Sequence, residues 1–238
     1  MPRVPSGDAV FPILTTRPTV SSYDTTTDTA AAETTGAFTA ESLSPKRLQA
    51  RFSYRRTEAA RFRGMSAALR QALTSGLSEG LDKAIIDQLV SDVTRTAASA
   101  ADTFASVRKR FCYSAIDGRF ASREGDIKLL VGGDTLADWS ELYRGNNADD
   151  AAVDSIRRIT SGVRVSPHIA AASGNKQDVI ARLGMRMDAQ APVWDGISII
   201  PDEVTEAAKG QVKIHAIMLY NVKVTRADGF KRIQAQHS

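Results

Sequence analysis

The apolar positions of this chain are most regular between Met65 and Val90. Leu69, Leu73, Leu77, Leu81 and Ile85 recur every fourth residue, and Ala72, Gly76, Gly80 and Ala84 run beside them at the same interval. On a helix of about 3.6 residues per turn these are two adjacent rows on one face, one large and one small. Arg70, Ser75, Ser78, Glu79, Asp82 and Lys83 fill the rest. The pattern predicts an amphipathic helix of roughly six to seven turns. Each glycine costs a helix interior about 0.8–1 kcal/mol relative to alanine. Burying each large residue returns roughly 1.5–3 kcal/mol, so the helix can bear that cost. A glycine row beside a leucine row forms a groove beside a ridge, which fits helix-on-sheet packing inside one domain. The polar face is too charged for membrane dimerisation through Gly-x-x-x-Gly.

A second periodicity, of two, marks strands. Leu48, Ala50, Phe52 and Tyr54 alternate with Gln49, Arg51, Ser53 and Arg55. Pro45 lies near the start of this strand, where a missing N–H is tolerated. Thr25 to Ala32 is its expected hairpin partner, with Glu33 to Gly36 as the turn. Such a hairpin has too little core to stand alone and is expected to rest on something else. Near the end, Val193 to Ile200 reads as a strand, and Val212, Ile214, Ala216, Met218, Tyr220, Val222 and Val224 continue as a long one. Ile217 and Leu219 suggest that both of its faces are covered in the middle.

Between these firm features the elements are shorter. Thr94 to Ala101 reads as a connection and Asp102 to Tyr113 as a helix. Asp117-Gly118 is a turn signal. Asp126 to Val131 reads as a buried strand ended by Gly132-Gly133. Asp134 is the candidate N-cap of a short helix through Trp139, Leu142 and Tyr143. Ala148 to Ile159 is expected to be helical, with Asp149-Asp150 supporting its N-terminus through the helix dipole. Gly162 to Val165 and Val179 to Leu183 are short elements flanking a loop from Pro167 to Gly174. Pattern alone gives an α+β fold, a long helix against a sheet whose last strand is C-terminal.

Composition changes the picture at the N-terminus. Threonine dominates residues 1 to about 40, Pro2, Pro5, Pro12 and Pro18 break any helix, and Val10, Phe11, Ile13 and Leu14 are the clustered apolar anchors. Such a segment is either disordered or an arm ordered by a neighbour. Cys112 is the only cysteine, so no intrachain disulfide forms. No apolar run reaches the roughly 18 residues of a membrane span, and residues 1 to 14 lack a signal-peptide pattern. The net charge of +4 permits nucleic-acid contact without requiring it.

The charge is concentrated. Lys46, Arg47, Arg51, Arg55, Arg56, Arg61, Arg63 and Arg70 stand against Glu58 alone. This basic patch either contacts phosphate, pairs with acidic surfaces of neighbouring chains, or is a solvated face. Phe52, Tyr54 and Phe62 match no single-strand binding module. The search for catalysis returns nothing. His168, His215 and His237 are far apart in sequence, and Cys112 has no companion at metal-ligand spacing. There is no Gly-x-Ser-x-Gly elbow and no phosphate-binding loop ending in Gly-Lys-[Ser/Thr]. Val131-Gly132-Gly133-Asp134 lacks the full dinucleotide fingerprint. No catalytic, cofactor or metal residue is therefore assigned, and the chain is not expected to be an enzyme.

Ordered segments point to a family. Phe38-Thr39-Ala40-Glu41-Ser42-Leu43-Ser44-Pro45-Lys46-Arg47-Leu48, then Tyr54-Arg55-Arg56, then the helix ending Leu81-Asp82-Lys83-Ala84-Ile85-Ile86 resemble the tailed-phage major capsid proteins. Val193-Trp194-Asp195-Gly196-Ile197-Ser198-Ile199-Ile200-Pro201-Asp202-Glu203, and Ala216-Ile217-Met218-Leu219-Tyr220 through Arg226-Ala227-Asp228-Gly229-Phe230, resemble that family's closing strands. The likeness is greatest to capsid segments that follow a maturation protease in one polypeptide.

The resemblance implies the Hong Kong ninety-seven type capsid fold. Residues 1–24 would be the N-terminal arm and 25–64 the extended E-loop hairpin. Residues 65–93 would be the spine helix of the P-domain, 94–192 the A-domain, and 193–238 the returning P-domain strands. The groove of the spine helix would receive chiefly the strand Val212 to Val224, so Gly76→Leu or Gly80→Leu should overpack it. The implied function is self-assembly as hexamers and pentamers into an icosahedral shell around double-stranded DNA, bound non-specifically. The same fold serves gene-transfer particles and encapsulating compartments. A basic α+β nucleic-acid-binding domain using Arg47, Arg51, Arg55 and Arg56 is the alternative. The resemblance further implies a virion location after assembly in a bacterial cytoplasm. Its partners would be the chain itself, with portal, scaffold or maturation protease and decoration proteins in some relatives, and no membrane. A family-type N-terminal scaffolding segment is not recognised in the sequence. A cross-linking member joins an E-loop lysine to a P-domain asparagine with help from a glutamate. Ala40, Gly210 and Ile217 stand there, so no isopeptide by that route is expected.

Overall fold

The computed structural model describes residues 3–14, 38–62, 64–98, 100–113, 127–145, 147–171, 173–183 and 188–237. The chain opens with β1 (Arg3–Val4), β2 (Ala9–Leu14), β3 (Phe38–Leu43) and β4 (Lys46–Arg55). Helices α1 (Arg56–Arg61) and α2 (Met65–Asp92) follow, then β5 (Arg95–Thr96). Helix α3 (Phe104–Val107) continues as a wider π-type turn over Arg108–Tyr113. Next come β6 (Ile127–Val131), α4 (Gly133–Glu141), β7 (Tyr143–Arg144), β8 (Asn147–Ala151), α5 (Ala152–Ile159), β9 (Gly162–Val165) and β10 (Lys176–Leu183). The chain closes with β11 (Ala189–Gln190), β12 (Val193–Asp202), β13 (Gln211–Tyr220), β14 (Lys223–Val224) and β15 (Phe230–Gln236).

Two sheets organise these elements. One has the order β1-β12-β13-β4 and the other β5-β15-β10-β6-β9. Helix α2, 28 residues and about 42 Å long, serves both. Leu73, Leu77 and Leu81 pack on Ile214, Ala216 and Met218 of β13 and on Leu48, Ala50 and Tyr54 of β4. Further along, Ile86 and Leu89, with Val93, join Ile169, Ile180, Val224 and Phe230 against the second sheet. A four-residue step rotates about 40° around a helix. The leucine row therefore drifts across the buried face, and Leu69 and Ile85 at its ends are only half-buried.

The same drift corrects the groove. Gly80 does meet a close neighbour, since a Cβ there would lie 3.0 Å from Leu48 Cδ2. That neighbour belongs to β4 and not, as expected, to the strand beginning at Val212. Gly76 has nothing within 4 Å of its Cβ position among the described residues, so Gly76→Leu would not overpack them.

The strand Leu48 to Tyr54 is present but is no free hairpin. All of β4, from Lys46 to Arg55, pairs antiparallel with β13. The partner of Phe38–Leu43 is Ala9–Leu14. The expected partner Thr25 to Ala32 and its turn lie outside the described residues, as does the Asp117-Gly118 turn. The β2–β3 ribbon rests on the first sheet through Ala9 and Leu43, which pack against Trp194. The Trp194 indole N–H donates to the Gly7 carbonyl at 2.7 Å.

The long C-terminal strand ends at Tyr220, earlier than expected. Asn221 turns the chain: its Nδ2 donates to the Ser44 carbonyl at 2.6 Å and its backbone N–H to the Pro192 carbonyl at 3.2 Å. Phe230–Gln236, expected with the sheet of the spine helix, instead pairs with Lys176–Leu183 in the second sheet.

That second sheet is covered on both faces. On one, Ile127, Leu129, Val131, Val179, Ala181, Leu183, Ile233 and Ala235 pack under Val107, Phe111, Trp139 and Ile156 of the helices. The rings of Phe111 and Trp139 lie 4.8 Å apart. On the other, Ile180 and Leu130 meet α2. Arg232 ties the layers by donating to the Asp178 carboxylate at 2.6 Å and to the Val90 carbonyl at 2.6 Å.

Two local expectations change here. Asp134 is not the N-cap of α4 but lies in its first turn. The capping acceptor comes from β10, where Gln177 Oε1 accepts from the Thr135 N–H at 3.0 Å and its hydroxyl at 2.6 Å. A Cβ at Gly132 would stand 2.2 Å from that amide, which explains the glycine. The expected helix from Ala148 starts only at Ala152, because Asn147–Ala151 is drawn into an antiparallel pair with Tyr143–Arg144.

Candidate functional site

The basic run is sorted by strand geometry. Leu48, Ala50 and Tyr54 of β4 point at α2. Side chains alternate along a strand, so Arg47, Gln49, Arg51, Ser53 and Arg55 occupy the opposite, outer face. Register places Gln49 beside Ile217, Arg51 beside His215 and Ser53 beside Lys213 on β13. Ile200 of β12 lies beyond His215 and is 48 % exposed.

The polar groups of this face are linked. Arg47 and Arg51 both donate to Gln49 Oε1, Arg51 at 3.5 Å. Gln49 Nε2 lies 3.3 Å from His215 Nδ1. A shallow cleft of about 350 Å³ opens here, lined by Arg51, Ser53, Asp202, Thr205, Lys213 and His215.

Acids gather at one end of the face, and their charge is used locally. Asp202 Oδ1 accepts from the Val204 and Thr205 N–H groups at 3.1 and 3.0 Å, and the Thr205 hydroxyl donates to Oδ2. The hydroxyl first, then the two N–H groups, hold the Asp202 carboxyl down at about 2. Glu206 accepts from Lys209 and Lys213 at 2.8 Å each, and these bonds lower it to about 2. Its carboxylate raises Lys209 in return. The loop so braced presents Val204 at 84 % exposure.

The predicted patch therefore divides. Arg56 is paired with Glu203 at 3.5 Å. Lys46 stands on the α2 side at the strand's start, Arg61 lies on the exposed turn of α1, and Arg63 is outside the described residues. Arg47, Arg51 and Arg55 share the outer face, and none has a carboxylate in ion-pair reach among the described residues. Gln49, Lys213 and His215 complete the face. They went unassigned in the sequence because cross-strand register cannot be read from one strand.

Elsewhere, no group of three His, Cys, Asp or Glu suited to a metal occurs among the described residues. None of the described helices is long and apolar enough to cross a membrane.

No family model matches the sequence, and no curated protein does. Solved structures do match, over nearly the whole chain. The capsid of an empty GTA particle is 12 % identical with a TM-score of 0.71, covering 99 % of this chain and 87 % of that one. A virus-like particle from Pyrococcus furiosus is 11 % identical with a TM-score of 0.66, covering 97 % and 88 %. A structure from Mycobacterium phage Che8 is 15 % identical with a TM-score of 0.67, covering 96 % and 84 %. The fold is thus that of capsid proteins. More particularly, the chain has the Hong Kong ninety-seven type fold.

Proposed function

We propose that this chain is the major shell subunit of a tailed phage, a prophage or a gene-transfer particle. Copies form hexamers and pentamers and close an icosahedral shell around double-stranded DNA. The observation that carries this reading is the capsid fold spanning 96–99 % of the chain in the matched structures. The surfaces support it. A two-stranded ribbon without a core of its own, Arg47, Arg51 and Arg55 without carboxylate partners among the described residues, and a braced loop with an exposed valine all suit contacts between chains.

In this reading residues 1–24 form the arm, 25–64 the E-loop, 65–93 the spine helix, 94–192 the A-domain and 193–238 the returning strands, the last of which serves the second sheet. Lys46, Arg47, Arg51, Arg55, Arg56, Arg61 and Arg63 form the inter-subunit basic patch, centred on Arg47, Arg51 and Arg55. With Ala40, Gly210 and Ile217 at the relevant positions, the shell is held without the lysine–asparagine isopeptide of the cross-linking relative. Electron microscopy and sedimentation of the purified protein test the reading. Ring-sized or megadalton particles are expected. A monomer at every salt and protein concentration overturns it.

A further inference from the structure

The hydrogen bonds on the outer face of the first sheet fix the protonation state of His215. Arg47 and Arg51 flank Gln49 along β4, and both donate to one atom of its side chain, Oε1. A guanidinium carries donors and no acceptor. The atom shared by the two arginines must therefore be the amide oxygen, which turns the amide nitrogen toward His215. That nitrogen, Nε2, lies 3.3 Å from His215 Nδ1. An amide nitrogen only donates, so Nδ1 accepts and the imidazole is neutral, with its proton on Nε2. Arg51 stands directly across from His215 on β4, and Ile200 on β12. Lys213 and Asp202 share its cleft. Lys213 is bound to Glu206 and Asp202 to Thr205, so neither carboxylate is spent on the imidazole.

We propose that His215 and Gln49 form a proton-operated catch on Arg47 and Arg51. A proton taken up at Nδ1 sets one donor against another, the imidazolium N–H against the amide NH2. Turning the amide over relieves the conflict, because Oε1 then accepts from the imidazolium in a charge-assisted bond. The NH2 now faces the guanidinium groups, and both arginines lose their shared acceptor. One proton thus frees two arginines and places a further positive charge beside them. Histidine changes charge between about pH 8 and 5, where exposed carboxylates stay largely ionised. The freed arginines take carboxylates of a second copy, so mild acid tightens the contact; this consequence rests on reading the face as an inter-subunit patch, whereas the catch itself does not.

Nitrogen NMR of the unassembled full chain tests the catch. At about pH 8 the His215 signals should show a protonated Nε2 and a bare Nδ1. The opposite tautomer overturns the proposal, and this measurement needs no variant. Between about pH 8 and 5, rotation of the Arg47 and Arg51 guanidinium groups should quicken as His215 takes up its proton. In His215→Phe it should stay slow throughout, and in Gln49→Ala it should be fast throughout. Rotation that ignores the His215 proton, or still quickens in His215→Phe, overturns the catch. Sedimentation tests the consequence. Particles of the unmodified chain should withstand more salt in mild acid than at neutral pH, and Gln49→Ala should lose most of that difference. Equal or lower salt tolerance in acid overturns the assignment of the freed arginines to a second copy. No particles under any condition overturns the shell reading, and the NMR measurements then decide the catch alone.

Discussion

The two sheets differ in how many faces they bury. The five-stranded sheet has helices on one side and the second half of α2 on the other. The four-stranded sheet has the first half of α2 on one side. Among the described residues its other side is covered only at one end, where Ala9 and Leu43 meet Trp194 and Leu219. Beyond that end lie Arg47, Gln49, Arg51, His215 and Ile200. One sheet is thus covered on both faces within the subunit, and the other presents an apolar and basic face that the described residues of its own chain leave open. A sheet with an uncovered face of this kind is suited to burial by another chain.

Breaking the closed sheet should have the largest effect. Trp139 is fully buried between Phe111 and the sheet, and its indole N–H reaches Asp102. Trp139→Ala should destabilise by about 3–5 kcal/mol, read from denaturant midpoints. A loss below about 1 kcal/mol would mean that the helical layer is loosely packed.

The next effect is on α2, where the two sheets meet. A Cβ at Gly76 touches nothing, whereas one at Gly80 presses on Leu48. Gly76→Ala should raise subunit stability by about 0.8–1 kcal/mol through helix propensity, and Gly80→Ala should gain less. Equal gains in thermal unfolding would show that Leu48 yields freely. If Gly76→Ala stabilises the subunit yet blocks particles, the open glycine receives another chain.

Much of this division was legible in the sequence, and the misses have physical causes. The period-four row of α2 and the alternation in β4 and β13 are local, so the elements were readable. The pairing of Ala9–Leu14 with Phe38–Leu43 spans a long segment, and nothing local specifies it. Gly76 and Gly80 look equivalent in sequence, but the drift of a four-residue repeat separates them. Asp134 has the right chemistry for a cap, yet Gln177 from a distant strand supplies the acceptor. In the candidate site, Arg47, Arg51 and Arg55 were visible as charges. Their company with Gln49 and His215 depends on register.

A smaller, pH-dependent effect belongs to the braced loop on the open sheet. Glu206 is held at about 2 by its hydrogen bonds to Lys209 and Lys213. A depressed carboxylate contributes stability that is present above its unfolded value and lost as pH falls through the folded one. Glu206→Gln should therefore lower the melting temperature at neutral pH. The difference from the unmodified chain should shrink between about pH 4.5 and 2. A difference that stays constant through that window would show that packing, not charge, is what Glu206 supplies.

The smallest effect on the subunit should come from the open face itself, and it sharpens the comparison most. Arg47, Arg51 and Arg55 are exposed and have no carboxylate partner among the described residues. Replacing all three with serine should leave stability within about 0.5 kcal/mol per site, because exposed charges without ion-pair partners contribute little to a fold. The same triple variant should fail to form particles, or form them only at lower salt, if the face is buried between chains. Matched unfolding and sedimentation experiments separate the two roles. Normal particles with normal stability would return these arginines to a solvated surface. Lost stability without assembly would mean that Gln49 and its arginines hold the sheet. Lost assembly at unchanged stability is the outcome that the contrast between the two sheets requires.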